Sequence, residues 1–123
     1  MRFLTDRKRA VGMGASKTGT EHHWSMQMSS IALIVLVPLF VFTTGWIIGE
    51  PYEEVVAYYS RPFPAIVAAL TFAVGMMHFK NGAQMAIEDY VHGLAGRLTI
   101  IAVTLLAYTI AAVSIFALIR LAL

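Results

Sequence analysis

Three apolar runs, at 31–48, about 63–85 and about 98–121, constrain this chain more than any other feature. A membrane-crossing helix needs about 20 residues to pass roughly 30 Å of hydrocarbon. The first and third runs meet that length directly. The second does so only by taking in polar residues. Its apolar part, 64–77, is too short, and the stretch GMMHFKNGAQMAIEDYVHG at 75–93 extends it with His78, Lys80, Asn81 and Gln84. Those side chains then lie inside the membrane or at its edge. The expected fold is an all-α membrane protein with three transmembrane helices. It forms one membrane-anchor domain over 1–123, with an arm at 1–23 and helices at 24–48, 63–90 and 96–121.

Composition agrees. Hydrophobic residues make up 59% of the 123 residues and charged ones 13%, against about 25% charged in soluble domains. The mean hydropathy is +0.72. Three helices and two short connections use nearly all of this length and leave no room for a separate soluble domain. The absence of cysteine excludes a disulfide, a thiolate metal site or an iron–sulfur cluster held by this chain. The first apolar run follows a polar arm, which is unlike a cleavable signal. Arg2, Arg7, Lys8, Arg9 and Lys17 crowd that arm, whereas the first loop carries Glu50, Glu53 and Glu54 against Arg61. The positive-inside rule then puts the N-terminus in the cytoplasm and, after three crossings, the C-terminus in the periplasm. The second loop, about 88–97, falls inside. On a membrane protein such a basic arm is a topology signal, so no nucleic-acid partner is expected.

Small side chains let membrane helices approach closely. Gly45 and Gly49 form a G-x-x-x-G pair, and Thr104, Ala107, Ala111 and Ser114 recur at spacings of three and four. Both sets are expected to pack within the chain's own three-helix bundle. In the second span Ala68, Thr71, Gly75, His78, Gly82, Met85 and Asp89 keep to one side of a continuous helix. Gly75 and Gly82 therefore flank His78, and the missing side chains suit something large and flat. Three uses of His78 stand open: a hydrogen bond to a neighbouring helix, a step in a proton path, or an axial ligand to haem iron. The glycines favour haem over a relay, which needs water and acids. His22, His23 and His92 lie at other depths, so a second axial ligand comes from Met28 or from another chain. In the latter case the haem sits at a subunit interface.

Farther along the same helix come Glu88, Asp89 and Tyr90. A tyrosine at a membrane boundary serves as an anchor, and carboxylates there suit solvent. The alternative is a quinone site. A phenol donates a hydrogen bond to a quinone carbonyl without carrying charge, and a neighbouring carboxylate can orient it or deliver protons. Asp89 stays on the His78 side, about 16 Å further along by helix rise.

These residues resemble the small cytochrome b-type membrane-anchor subunit of succinate dehydrogenase, respiratory complex II. The likeness rests on the H-x-x-x-G of His78 to Gly82 and on Asp89–Tyr90, eleven and twelve residues after the histidine. The stretch GTEHHWSMQMSSIALIVLVPL, with Gly19, His22, Trp24 and Pro38, is similar to the family's entry into its first helix. The resemblance implies a bacterial inner-membrane subunit whose His78 is an axial ligand of haem b, the other histidine coming from the partner anchor subunit. It further implies that Tyr90 hydrogen-bonds a ubiquinone carbonyl and that Asp89 supports this site, with the iron–sulfur subunit and the partner anchor as remaining walls. A flavoprotein subunit completes the implied complex, and this chain is not catalytic alone. Many relatives have an arginine where Gln27 stands and Thr-Ala where Ser29–Ser30 stands, so arm residues, including His22 and Gln27, are not carried over. Two other readings stay open: the anchor of a quinol:fumarate reductase, and a haem-free membrane scaffold or transporter component.

Overall fold

The computed structural model describes residues 3–14 and 19–123; Arg2 and Lys17 of the basic arm lie outside them. Five helices follow in order: α1 (Asp6–Val11), α2 (Gly19–Gly45), α3 (Tyr52–Tyr59), α4 (Pro62–Tyr90) and α5 (Gly93–Ala122). Three of them, α2, α4 and α5, are long and apolar enough to cross a membrane. Only helices or closed barrels satisfy their backbone groups in hydrocarbon, and the long apolar runs choose the helix.

Local chemistry sets the ends. Thr5 caps α1 by accepting from the Lys8 amide at 3.3 Å. α2 begins at Gly19 rather than at 24 and so draws in the last five residues of the expected arm. Pro62 and Pro64 open α4, where the first-turn amides have no intrahelical partner and a missing N–H costs nothing. The polar residues after Met77 stay helical, so α4 runs unbroken for 29 residues.

α4 is the central element. α2 and α5 both pack on it, and among the described residues the backbones of α2 and α5 do not approach each other. Where the small-residue patterns suggest a three-helix bundle, the three long helices lie in a row with α4 in the middle. On α5, Ala107 is buried and Thr104, Ala111 and Ser114 are half-buried, forming the stripe that meets α4. The Gly45/Gly49 pair does not pack at all. Nothing approaches the position of a Cβ on either residue. Gly45 ends α2, and Gly49 takes φ +93° in the following turn, a left-handed conformation that glycine adopts without steric cost.

Two connections differ from expectation. The first link contains α3, a short helix tied back to α2: the Tyr58 hydroxyl donates to the Thr43 carbonyl at 2.7 Å, and Thr44 Oγ1 lies 3.0 Å from the Tyr59 hydroxyl. The other loop, expected over about 88–97, is only Val91 and His92, because α5 starts at Gly93 rather than at 96. So tight a reversal brings backbone against backbone. A Cβ on Gly96 would overlap the Val91 carbonyl.

Gly96→Val is expected to destabilise the α4–α5 hairpin by about 1–3 kcal/mol, the usual cost of overpacking a close contact. The measurement is the thermal midpoint of the detergent-solubilised protein. Gly45→Ala, which places its methyl group in open space, is expected to leave that midpoint unchanged.

Candidate functional site: a polar seam between α2 and α4

Among the described residues only two polar ones are buried, Ser29 (3% exposed) and Asn81 (5%), and both lie where α2 meets α4. Around them a short polar ladder crosses between the helices. Ser29 Oγ lies 2.9 Å from His78 Nδ1, and Asn81 Nδ2 donates to Ser25 Oγ at 3.4 Å. Further along the seam, Thr71 Oγ1 reaches the Leu36 carbonyl at 3.5 Å. Phe40 and Phe72 then meet edge to face with ring centroids 5.8 Å apart. Helical spacing explains the alignment. Ser25 and Ser29 stand one turn apart on α2, as His78 and Asn81 do on α4, so both pairs face the same seam.

The hydroxyls are also bonded within their own helix. Ser29 Oγ lies 2.9 Å from the Ser25 carbonyl and 3.0 Å from that of Met26. Ser30 Oγ donates to the Met26 carbonyl at 2.9 Å, and Thr71 Oγ1 to that of Val67 at 2.7 Å. Hydrogen bonds across membrane helices are worth about 0.6 kcal/mol on average. The seam is thus set by several weak bonds together with packing.

His78 is half-buried. Its Nδ1 is engaged by Ser29, while Nε2 has no partner among the described residues and is not sealed from the surface. The flanking glycines face α2. A Cβ at Gly82 would meet the Met26 side chain at 3.6 Å, and one at Gly75 would meet Leu33 at 4.0 Å, both ordinary van der Waals contacts. Any flat ligand of His78 must reach Nε2 from outside the α2–α4 seam.

At the far end of the same two helices lies a cavity of about 510 Å³, lined by Gly19, His22, Gln84, Met85, Glu88 and Asp89. Gln84 Nε2 donates to Glu88 Oε1 at 2.8 Å across one turn. The early start of α2 places His22 here, opposite Asp89. Tyr90 is absent from the lining and is 84% exposed. Successive residues point about 100° apart on a helix, so Asp89 turns into the cleft and Tyr90 turns out of it. Gln27 and Arg97 are exposed, and Met28 lies exposed on α2, off the seam.

Sequence reasoning picked out His78, Asp89 and Tyr90 but missed Ser29 and the residues opposite Asp89. The signal for Ser29 was present. It lies four residues after Ser25, one helical turn on, where a second hydroxyl on one helical face calls for a partner. Among the described residues no group of three or more histidine, cysteine or acidic side chains could enclose a metal ion. A single imidazole with one free nitrogen fits a prosthetic group whose remaining ligands are its own macrocycle and another chain's residue. It does not fit an isolated ion.

The chain is similar to proteins of one kind. Residues 1–119 match the family model described as succinate dehydrogenase/fumarate reductase transmembrane subunit. Over all 123 residues and 95% of the relative's length, the chain is 42% identical to the succinate dehydrogenase hydrophobic membrane anchor subunit of Paracoccus denitrificans. It is 28% identical over 81 residues, 63% of this chain and 68% of the relative, to the succinate dehydrogenase membrane anchor subunit of Reclinomonas americana. No solved structure gives a significant match. Taken with the three apolar helices, this makes the chain a multi-pass protein of the bacterial inner membrane. It belongs to the family of succinate dehydrogenase/fumarate reductase transmembrane subunits.

Proposed function

We propose that this chain is the small membrane-anchor subunit of a succinate:quinone oxidoreductase. In this reading His78 is one axial ligand of a haem b, the other coming from the partner anchor subunit, and the end of α4 takes part in ubiquinone reduction. The observation that carries the reading is the state of His78: one ring nitrogen held by Ser29, the other without a partner among the described residues and not sealed from the surface. The row of helices supports it too, since a single layer leaves α4 accessible to a second anchor. When bound, the haem supplies a centre that accepts and releases one electron at a time.

The protein's own residues do the rest. Ser29 fixes the imidazole of His78 against α2. Tyr90, exposed on the last turn of α4, donates its phenolic hydrogen to a quinone carbonyl oxygen in a pocket walled by the iron–sulfur subunit and the partner anchor. Asp89 faces the adjoining cleft and passes protons toward that site from the cytoplasmic side, on which the basic arm lies. Succinate is oxidised on the flavoprotein subunit. This cysteine-free chain holds neither flavin nor cluster.

The family description also names fumarate reductase, which supports the opposite direction as a second reading. The succinate dehydrogenase names of both curated relatives favour the first. The quinone that co-purifies decides between them: ubiquinone for succinate oxidation, a low-potential quinone for fumarate reduction.

His78→Ala is expected to remove the reduced b-type absorption band while the flavoprotein, iron–sulfur and partner anchor subunits still co-purify. A band that persists overturns the ligand assignment, and a colourless wild-type complex supports a haem-free scaffold instead. Tyr90→Phe is expected to slow quinone reduction about three- to tenfold, the equivalent of one lost hydrogen bond of roughly 0.5–1.5 kcal/mol. Succinate oxidation with a soluble electron acceptor should be unaffected. If quinone reduction stays at the wild-type rate, Tyr90 has no part in the site.

A further inference from the structure

Three short contacts converge on the Ser29 hydroxyl: the Ser25 carbonyl at 2.9 Å, the Met26 carbonyl at 3.0 Å and His78 Nδ1 at 2.9 Å. A serine hydroxyl brings one hydrogen and a neutral imidazole brings one more. Two arrangements are possible. In the first, Ser29 donates to the two carbonyls, shared between them, and His78 donates its Nδ1–H to Ser29 Oγ. Every short contact then contains a hydrogen. In the second, Ser29 donates to a bare Nδ1, and the imidazole hydrogen moves to Nε2. Two oxygen–oxygen contacts of 2.9–3.0 Å are then left with no hydrogen between them. Nε2 has no partner among the described residues in either arrangement, so it does not choose between them. The first arrangement wins because it leaves no short contact at Ser29 without a hydrogen.

We infer that Ser29 is the positioning residue of the haem site, locking His78 in the Nδ1–H tautomer so that its Nε2 lone pair is free for iron. This rests on the haem-ligand reading above and adds a residue to it. The tautomer itself follows from the hydrogen count alone. An imidazole that donates through Nδ1 to an oxygen acceptor is a more basic ligand through Nε2 and is fixed in orientation, and loss of such a partner typically weakens metal binding 10- to 100-fold. A more electron-rich ligand favours the oxidised iron, so Ser29 lowers the haem potential.

The test has two arms. In the first, the full chain is labelled with ¹⁵N-histidine and studied by NMR in haem-free detergent micelles, with His78→Ala identifying the signals of that residue. The wild type is expected to show His78 protonated on Nδ1 alone. Ser29→Ala should abolish that signature and Ser29→Thr should restore it. Ser30→Ala, which loses only a bond to the Met26 carbonyl, should leave it intact. Protonation on Nε2 in the wild type, or an unchanged signature in Ser29→Ala, overturns the tautomer assignment.

In the second arm, the same variants are made in the assembled complex and titrated potentiometrically. Ser29→Ala should raise the midpoint potential of the b-type band and speed haem loss to an apoprotein acceptor by about tenfold. Ser29→Thr should return both to wild-type values. A potential and a loss rate unmoved by Ser29→Ala overturn the positioning role. A wild-type complex without haem overturns the function proposed for His78, and the NMR arm still decides the tautomer.

Discussion

Hydrocarbon offers no hydrogen-bond partner, and nearly every feature of this chain follows from that constraint. Each polar group carried into the membrane must be satisfied by the protein or left facing something that will satisfy it. The α2–α4 seam meets the requirement economically. Ser29, Ser30 and Thr71 bond first to carbonyls of their own helix, so the hydroxyls are not orphaned before the helices meet. Ser29 then has lone pairs left to accept from the opposite helix, and Thr71 shares its one hydrogen with the Leu36 carbonyl there. The result is a seam held by small residues and shared hydroxyls. In it, buried Asn81 and half-buried His78 do not act as isolated polar defects.

A single layer of helices has consequences for how the chain is used. Because α2 and α5 pack on α4 while, among the described residues, their backbones do not approach each other, the row has two broad faces and almost no interior. The hydrophobic residues that reach full burial are Tyr59, Val67, Ala68 and Ala107. In water such a shape could not hold together, since it hides too little apolar surface. In a membrane, lipid tails replace the missing core, and the driving force shifts to close packing and interhelical hydrogen bonds. A partner anchor laid against one face would bury α4 without disturbing the seam, which suits a subunit that contributes one ligand to a shared site.

Much of this was legible in the residues. The three spans follow from length and hydropathy, and the stripe on α5 through Ala107 follows from helical periodicity. The side of α4 that carries Gly75, His78 and Gly82 is the side that meets α2. What faces that side was not legible, because periodicity aligns residues on one helix and says nothing of its neighbour. The same two glycines suit a flat ligand or a close helix, and only the structure shows that Met26 and Leu33 of α2 lie beside them. The G-x-x-x-G pair misleads for a related reason: the pattern assumes a helix through Gly49, whereas the chain has already turned at Gly45. The short helix α3 escaped notice because eight residues carry too little pattern to separate a helix from a polar loop. Its anchors, Tyr58 and Tyr59, bond to residues fifteen positions back in the chain.

The end of α4 shows how one helix can serve two tasks without mixing them. Asp89 and Tyr90 are adjacent in sequence, yet they leave the helix in different directions, one into a cleft opposite His22 and one outward. A carboxylate beside the phenol in one closed pocket would accept the phenolic hydrogen in place of a ligand oxygen. Placed about 100° apart, they would meet, in the proposed function, a quinone and a proton source on different sides. Extending α4 through Tyr90 rather than ending it in a loop makes this separation rigid. The two-residue link at Val91 and His92 then forces α5 to start at once, and Gly96 accommodates the contact that so short a turn creates. The tightness of that turn and the precision with which Tyr90 is presented therefore have one origin: a helix that does not stop at the boundary of its apolar sequence.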